Sequence, residues 1–411
     1  MRRIFIPYKW ELVLLLWIAF FFNQADRQIF NVLLPLIRDD LDLTDADMGL
    51  VASVLTLVYG LLVPIAGLLG DRVSKKKIII ISLIIWSSAT LLTGFSTLLA
   101  ELIFLRSVAT GGGEAFYSPS ANAVISANHD DRTRATALSL HQTSLYVGVI
   151  FSGYIAGVFA EMYGWRNTFY IFGGFGILLG VVLYFRMEED KIIKTAFKSD
   201  EISAIKESVY MFWGNRTAVL LTFAFAGMQF VGIGFLTWMP TFLHEVFGFS
   251  LARSGFDATF YHHVGAFLGV IVGARLADRF VNYYAGVRIF FQALGLLLGA
   301  PFIYIMSVSD SIFLVYIAMT CFGVFRGFYD SNIFASLYSV IKVRHRTTAT
   351  GFMLMFAFIV GSLSPLLLGM LKPVLGLSNG FALLSIVYLL ASFCLFGVIA
   401  FTFKKDYIPN L

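Results

Sequence analysis

The sequence predicts an all-α integral membrane protein, with twelve transmembrane helices in two pseudo-symmetric six-helix bundles. Three observations carry that expectation. Hydrophobic residues are 58% of the 411 and charged residues only 13%, with a mean hydropathy of +0.82. A water-soluble chain has about 25% charged residues, so lipid is the main solvent here. Apolar windows of roughly 20 residues, long enough to cross a bilayer as a helix, recur about twelve times. The chain also repeats itself. RSVATGGGEAFYSPSANAVISANHDDRTR (106–134) has an echo 212 positions later in FRGFYDSNIFASLYSVIKVRHR (325–346). Phe116-Tyr117 falls on Phe328-Tyr329, Arg132 and Arg134 on Arg344 and Arg346, Glu114 on Arg326, and Ser118 on Asp330.

The chain opens MRRIFIPYKWELVLLLWIAFFF. Its apolar run is too long for a secretory leader and no small-residue cleavage site follows, so it reads as a retained first helix. The windows run 10–36, 48–70, 78–97, 99–127, 135–160 and 167–187, then 215–243, 252–276, 286–307, 311–341, 347–371 and 380–403. Several exceed the minimum length, which predicts tilted helices. Of the 30 Lys and Arg, 23 fall on one set of alternate connections. Four (Arg38, Arg166, Arg253, Lys372) fall on the other, and Arg27, Arg106 and Arg326 lie inside spans. Basic residues gather on cytoplasmic loops, which places both termini in the cytoplasm and the protein in the plasma (inner) membrane.

The longest connection, 188–214, divides an N-terminal bundle (1–187) from a C-terminal one (215–411). Its start, EEDKIIKTAFKSD, is charged. Ser199 is placed to cap a short helix whose Ile202, Ile205, Val209 and Phe212 make an apolar stripe. Such a helix would tie the halves together along the cytoplasmic face; the alternative is a flexible tether. Cys321 and Cys394 lie far apart in apolar runs with no metal-ligand spacing, as inert packing residues do.

Charged side chains at membrane depth face a protein interior or a water-filled path and seek partners there. Asp26 and Arg27 in span 1, Arg106 and Glu114 in span 4, and Arg326 and Asp330 in span 10 are such residues. Polar groups at matched depths in a duplicated chain point to alternating-access transport, with the substrate bound midway. Arg326 and Asp330, four apart, can pair along one helix turn or line the cavity with Asn332. Gln142 and Tyr146 in span 5, one helical turn apart, are candidate substrate contacts, as is one of His141, His262 and His263. Adjacent histidines face different directions, so His262-His263 makes no metal pair. Gln229 and Trp238 add polar atoms in span 7. Runs of small residues in span 5 (Gly148, Ser152, Ala156; Gly153, Gly157) permit close helix crossing, and Pro119 and Pro365 can kink spans 4 and 11.

The connection after span 2 reads GLLGDRVSKKK, from Gly67 through Asp71 and Arg72 to Lys77, and LADR (276–279, with Asp278 and Arg279) is a weaker copy after span 8. The pair resembles the signature loop G-x-L-A-D-R-x-G-R-[RK] of the major facilitator superfamily, over the whole chain. The resemblance implies two six-helix bundles around a cavity, with these loops gating the conformational change by capping or pairing with a neighbouring helix. Asn23-Gln-Ala-Asp26-Arg27 in span 1, with Arg106 and Gly113-Glu114-Ala115 in span 4, resembles two branches of that family. One takes up sugar acids and sialic acids; the other is spinster-like and associated with sphingolipids and lysolipids. Both imply that Asp26 and Glu114 couple protons and that Arg27 and Arg106 bind substrate or partner those acids. Burial favours the protonated form of a carboxyl group and a nearby guanidinium opposes it, which links proton occupancy to substrate. One departure stands out. Arg106 precedes Glu114 by eight residues, where both branches have seven. One residue is about 100° of helix, so the two share a face only if Gly111-Gly112-Gly113 distorts it.

The favoured expectation is a proton-coupled symporter of a small organic anion such as a sugar acid. A spinster-like lysolipid transporter is the alternative, favoured by the apolar Phe352, Met353, Met355, Phe356 and Phe358, and drug efflux of cations fits the acid–arginine cluster less well. Enzyme, channel and nucleic-acid readings find no Walker loop, nucleophile elbow, zinc spacing or solvated basic domain. The expected partners are an anionic substrate, protons and membrane lipid, with no metal or cofactor, and the expected state is a monomer.

Overall fold

The computed structural model describes residues 7–70, 73–189 and 199–408, with side chains for all of these except 67–70 and 199–205. No strand occurs among them. Lipid offers the backbone no hydrogen bonds, and helices satisfy their own. The helices are α1 (Tyr8–Asp40), α2 (Asp45–Gly70), α3 (Lys75–Thr93), α4 (99–128), α5 (Arg134–Tyr163), α6 (Trp165–Arg186), α7 (Ser199–Gly214), α8 (Arg216–Phe247), α9 (Leu251–Phe280), α10 (Val287–Val308), α11 (Ile312–Tyr338), α12 (346–375) and α13 (377–406).

All but α7 correspond to the twelve expected crossings. Nine described stretches are long and apolar enough to span a membrane on length and composition. The last of them, Val343–Asp406, is 64 residues long and holds two crossings, because Gly376 (φ 75°) breaks it. The remaining two are α1 and α4, which carry Asp26, Arg27, Arg106 and Glu114.

The duplication extends to the backbone. Gly164 (φ 84°) turns α5 into α6, and Gly376, 212 positions later, turns α12 into α13. Only a residue without Cβ enters this left-handed region cheaply. Asp42 (φ 51°) and Gly248 (φ 67°) occupy the matching place between α1 and α2 and between α8 and α9.

The chain forms two compact units, Met1–Thr195 with Leu243–Asp257, and Ala196–Phe242 with Ala258–Leu411. In the first, α1, α3, α4 and α6 enclose a core of Leu12, Leu16, Phe20, Leu83, Trp86, Tyr117, Ile125 and Leu183. The turn 243–257 packs against α5, where a Cβ on Gly153 would meet Gly255 O at 2.8 Å and one on Gly157 would meet Ala252 N at 2.3 Å. The small residues expected to bring helices together in span 5 therefore serve two neighbours, since Gly148 lies against Phe21 and Gln24 of α1.

Three of the four arginines and lysines on the sparsely basic side of the chain are matched by acids. Arg38 meets Asp39 at 2.9 Å, Asp45 at 2.8 Å and Glu245 at 3.0 Å; Arg253 meets Asp257 at 3.2 Å; Arg166 pairs with Asp40. On the opposite side, Asp130 accepts from the hydroxyl and backbone N–H of Thr133, which hold its carboxyl below the usual carboxylate range.

The second unit rests on a glycine zipper that the sequence reading passed over. Gly265, Gly269 and Gly273 of α9 face Gly323 and Gly327 of α11. A Cβ on Gly269 would stand 2.0 Å from Val324 O, and one on Gly323 would stand 2.1 Å from His262 O. The residues 188–214 do hold a helix, and α7 packs within this unit: Ser208 Oγ bonds His345 Nδ1 at 2.7 Å and buried Phe212 lies against Phe352. Ser199, Ile202 and Ile205, the expected cap and first half of the stripe, lie outside the described side chains. Cys321 and Cys394 are free and half-buried.

Overpacking a close helix crossing costs about 1–3 kcal/mol, so Gly269→Val or Gly323→Val should lower the melting temperature of the detergent-purified protein by several degrees. Gly351→Ala, where nothing lies within 4 Å of the added methyl, should be neutral or mildly stabilising by helix propensity. Equal melting of all three variants would remove the zipper from the stability of this unit.

Candidate functional site

Asp26 and Arg27 are consecutive on α1, so their side chains diverge by about 100°, and each finds an opposite charge on α4. Arg106 Nη1 donates to Asp26 Oδ2 at 2.8 Å, and its Nη2 donates to the Asp26 backbone carbonyl at 2.6 Å. Arg27 Nε donates to Glu114 Oε2 at 2.6 Å. The pairing is crosswise: Arg106 and Glu114 do not pair with each other. Burial differs between the two pairs. Arg106 is wholly enclosed and Asp26 nearly so, whereas the Arg27 side chain keeps 26% of its surface exposed above a buried Glu114.

The eight-residue spacing resolves in the backbone of α4. Residues Ile103–Ala109 form a π-helix, which carries an extra residue per turn, and Arg106 lies within it. The inserted residue is absorbed, and both charges reach α1. The distortion expected at Gly111-Gly112-Gly113 is not there; those glycines are regular helix. They serve packing instead: a Cβ on Gly111 would stand 2.9 Å from Leu55 O, and one on Gly113 would stand 3.1 Å from Ser82 O.

A surrounding layer holds the acids in place. Thr90 Oγ donates to Asp26 Oδ1 at 2.5 Å, and the Tyr59 ring lies 4.1 Å below the Arg27 guanidinium. Glu114 Oε1 and Arg106 Nε have no hydrogen-bond partner among the described residues. One turn further along α4, Tyr117 donates to Leu16 O at 2.5 Å, and His141 of α5 stacks on Phe20 at 4.8 Å. Thr90 and Tyr59 escaped the sequence reading, because a neutral hydroxyl in an apolar window carries no local signal.

A model of the major facilitator superfamily matches residues 16–365. The chain belongs to this family. As a superfamily member it is a multi-pass membrane transporter and not an enzyme. Among its relatives, the hexuronate transporter of Bacillus subtilis is 26% identical over 279 residues, covering 66% of this chain and 64% of that one, a little under two thirds of its length. Spinster homolog 1 of Xenopus tropicalis is 26% identical over 392 residues, 88% of this chain and 72% of the other. The D-galactonate transporter of Escherichia coli O6:H1 is 26% identical and covers 66% and 67%. In fold, the chain is similar to a bacterial homologue of the human lysosomal transporter spinster, crystallised inward-facing and unoccupied. The TM-score is 0.85 and the identity 20%, over 98% of this chain and 99% of that one.

Of this superfamily member's other candidate residues, Gln142 and Tyr146 are exposed on one face of α5, and His141 points the other way into the core. Arg326 Nε meets Asp330 Oδ2 at 3.5 Å along α11. Buried Asn332 is drawn into a local turn, donating to Phe328 O and Ser331 Oγ. His262 is enclosed by Phe235 and Phe322, and His263 turns away at 86° to bond Thr259 O. No group of three metal-ligating side chains occurs among the described residues. Trp238 donates to Pro365 O at 3.0 Å. Of the loop residues, Asp278 pairs with Arg288 at 2.7 Å across to α10, and Arg279 lies 6.0 Å over Phe280. Gly67, Asp71 and Arg72 lie outside the described side chains.

Removing one partner of a buried ion pair costs about 3–5 kcal/mol, whereas replacing both by apolar groups can be nearly neutral. Asp26→Val should therefore destabilise strongly, and Asp26→Val with Arg106→Met should recover most of the loss, as read by thermal melting. A double variant as unstable as the sum of the singles would mean the two residues do not act as a pair.

Proposed function

We propose that this transporter is a proton-coupled symporter of a small organic anion such as a sugar acid, working by alternating access. The observation that carries the reading is the Arg27–Glu114 pair, a buried acid held by a guanidinium that remains partly exposed. An anion arriving at Arg27 competes with Glu114 for the same donors. Glu114, losing its partner in an enclosed place, is then best left neutral by taking a proton. Substrate and proton thus load together, and neither half-loaded state is favoured. Asp26 is the second proton carrier in this scheme and exchanges later, because Arg106 is sealed. Gln142 and Tyr146 fit as neutral contacts to a polyol within the first bundle, and Arg326, Asp330 and Asn332 are the substrate candidates within the second.

The relatives named for hexuronate and D-galactonate support a sugar-acid substrate. We place the protein in the plasma (inner) membrane as a monomer with cytoplasmic termini, a topology that the loop charges support, and assign gating to Gly67, Asp71, Arg72, Asp278 and Arg279. A spinster-like lysolipid substrate is the second reading. It is favoured by the coverage of spinster homolog 1 and by the apolar cleft of Phe212, Phe223, Phe352, Met355 and Phe356.

Glu114→Gln keeps the shape but cannot release a proton. It should abolish uptake driven by a pH gradient in proteoliposomes while leaving counterflow exchange intact; continued accumulation against the gradient would make Glu114 structural only. The substrate classes separate in a melting-temperature screen against sugar acids, sialic acid and lysolipids at about pH 5.5 and about pH 7.5, since a ligand that binds only the folded form raises the midpoint. A pH-dependent shift with a sugar acid is the expected result, and a shift confined to lysolipid would transfer the assignment to the second reading.

A further inference from the structure

Contacts within each bundle set the register of α1 against α8. Phe20 stacks on Tyr117 at 5.9 Å, and Phe225 stacks on Tyr329 at 6.4 Å. A Cβ on Gly148 would meet Gln24 at 2.9 Å; one on Gly361 would meet Gln229 O at 3.4 Å. Both sets give one register. Position 20 of α1 matches 225 of α8, Gln24 matches Gln229, Pro35 matches Pro240, and Tyr117 of α4 matches Tyr329 of α11.

In this register the ion pairs of the first bundle have definite counterparts. Asp26 falls on Val231, and the place of Arg106 falls at Ala318-Met319, all wholly buried. Where the first bundle has one of its ion pairs, the second has buried apolar side chains. Glu114 falls on Arg326 and Arg27 falls on Gly232. The charge that α4 carries at Glu114 is reversed on α11, and its partner is deleted to a hydrogen atom. The space so opened is filled by the guanidinium itself: a Cβ on Gly232 would stand 2.6 Å from Arg326 Nη1 and 3.1 Å from its Cζ. Asp330 reaches only the Nε edge, at 3.5 Å, and Nη1 is buried without an acceptor among the described residues.

We propose that Arg326, seated against Gly232, is the anchor for the anionic group of the substrate, and that Gly232 is the specificity-determining residue that keeps the anchor open. Arg27 and Arg106 each have a carboxylate of their own, which an anion must first displace, so the four charges of the first bundle leave no cation unpaired at rest. In the second bundle Nη1 and Nη2 of Arg326 lie against Gly232 while Asp330 takes the Nε edge, and two parallel N–H groups at the end of a guanidinium are the geometry that binds a carboxylate or a phosphate oxygen pair. Any side chain at 232 would push the fork aside, and an acidic one would neutralise it as Glu114 neutralises Arg27. His262, His263, Asp330 and Tyr388 are the titratable groups around it.

The inference rests on the organic-anion reading above for the identity of the ligand, and its test separates the two. Detergent-purified full-length protein is treated with the arginine reagent phenylglyoxal, and adducts are mapped by mass spectrometry, alone or with D-glucuronate or lysophosphatidate. Arg326 should react at least about tenfold faster than Arg27 and Arg106, and one of the two anions should protect it. In Gly232→Val, and less so in Gly232→Ala, the half-protecting concentration should rise by about tenfold or more, with the melting temperature checked to exclude misfolding. Protection by lysophosphatidate alone keeps the anchor and moves the source of the anionic group to a lipid. Fast modification of Arg326 without protection by either anion keeps the available cation and overturns its role as substrate anchor for these classes. Reaction no faster than at Arg27 and Arg106, or protection unchanged in Gly232→Val, overturns the proposal.

Discussion

A charge cannot be left alone in a medium that neither hydrates it nor hydrogen-bonds it, and the first bundle is arranged around that constraint. Asp26 and Arg27 are neighbours in sequence, so no single helix face can serve both. Each must be answered from a different height on α4, and Arg106 and Glu114 stand at those heights. Four charges summing to zero thereby bind two helices more specifically than apolar side chains would. A buried ion pair adds little net stability over a well-packed apolar contact. Unlike an apolar contact, an ion pair can be opened by a competing ion or by protonation of its acid.

The fold was legible in the sequence because its cause is simple. Helix count and duplication follow from hydropathy and the 212-residue echo, neither of which depends on fine packing. The charged residues of the site were legible for the same reason, since ionisable groups in apolar windows stand out. Their pairing was not. Whether Arg106 reaches Asp26 or Glu114 depends on the π-helical turn at Ile103–Ala109. A change of hydrogen-bond register leaves no composition signal, and the three glycines nearby drew attention to the wrong place. Gly111 and Gly113 are demanded by neighbouring backbone, at Leu55 and Ser82, which only the tertiary structure reveals. The glycine zipper of α9 and α11 could have been read from the spacing of Gly265, Gly269 and Gly273 opposite Gly323 and Gly327. Span 5, with its similar pattern, took that role in the reading.

Duplication places matched positions at matched depths, and divergence then decides which carry charge. The second bundle keeps the architectural half of the pattern: the aromatic stacks of Phe225 and Tyr329, the paired glutamines and prolines, and the left-handed turn at Gly376. It discards the electrostatic half. Val231 and Ala318 are buried apolar side chains at the positions that match Asp26 and Arg106. That substitution, made within one chain, argues that the first bundle retains its charges for a use other than packing. The reversal of Glu114 to Arg326 opposite Gly232 carries the argument further. If both bundles bound substrate in the same way, drift toward identical charges would be harmless. The arrangement differs between the bundles: the first holds two acids each paired with an arginine, and the second a guanidinium whose Nη1 meets no acceptor among the described residues.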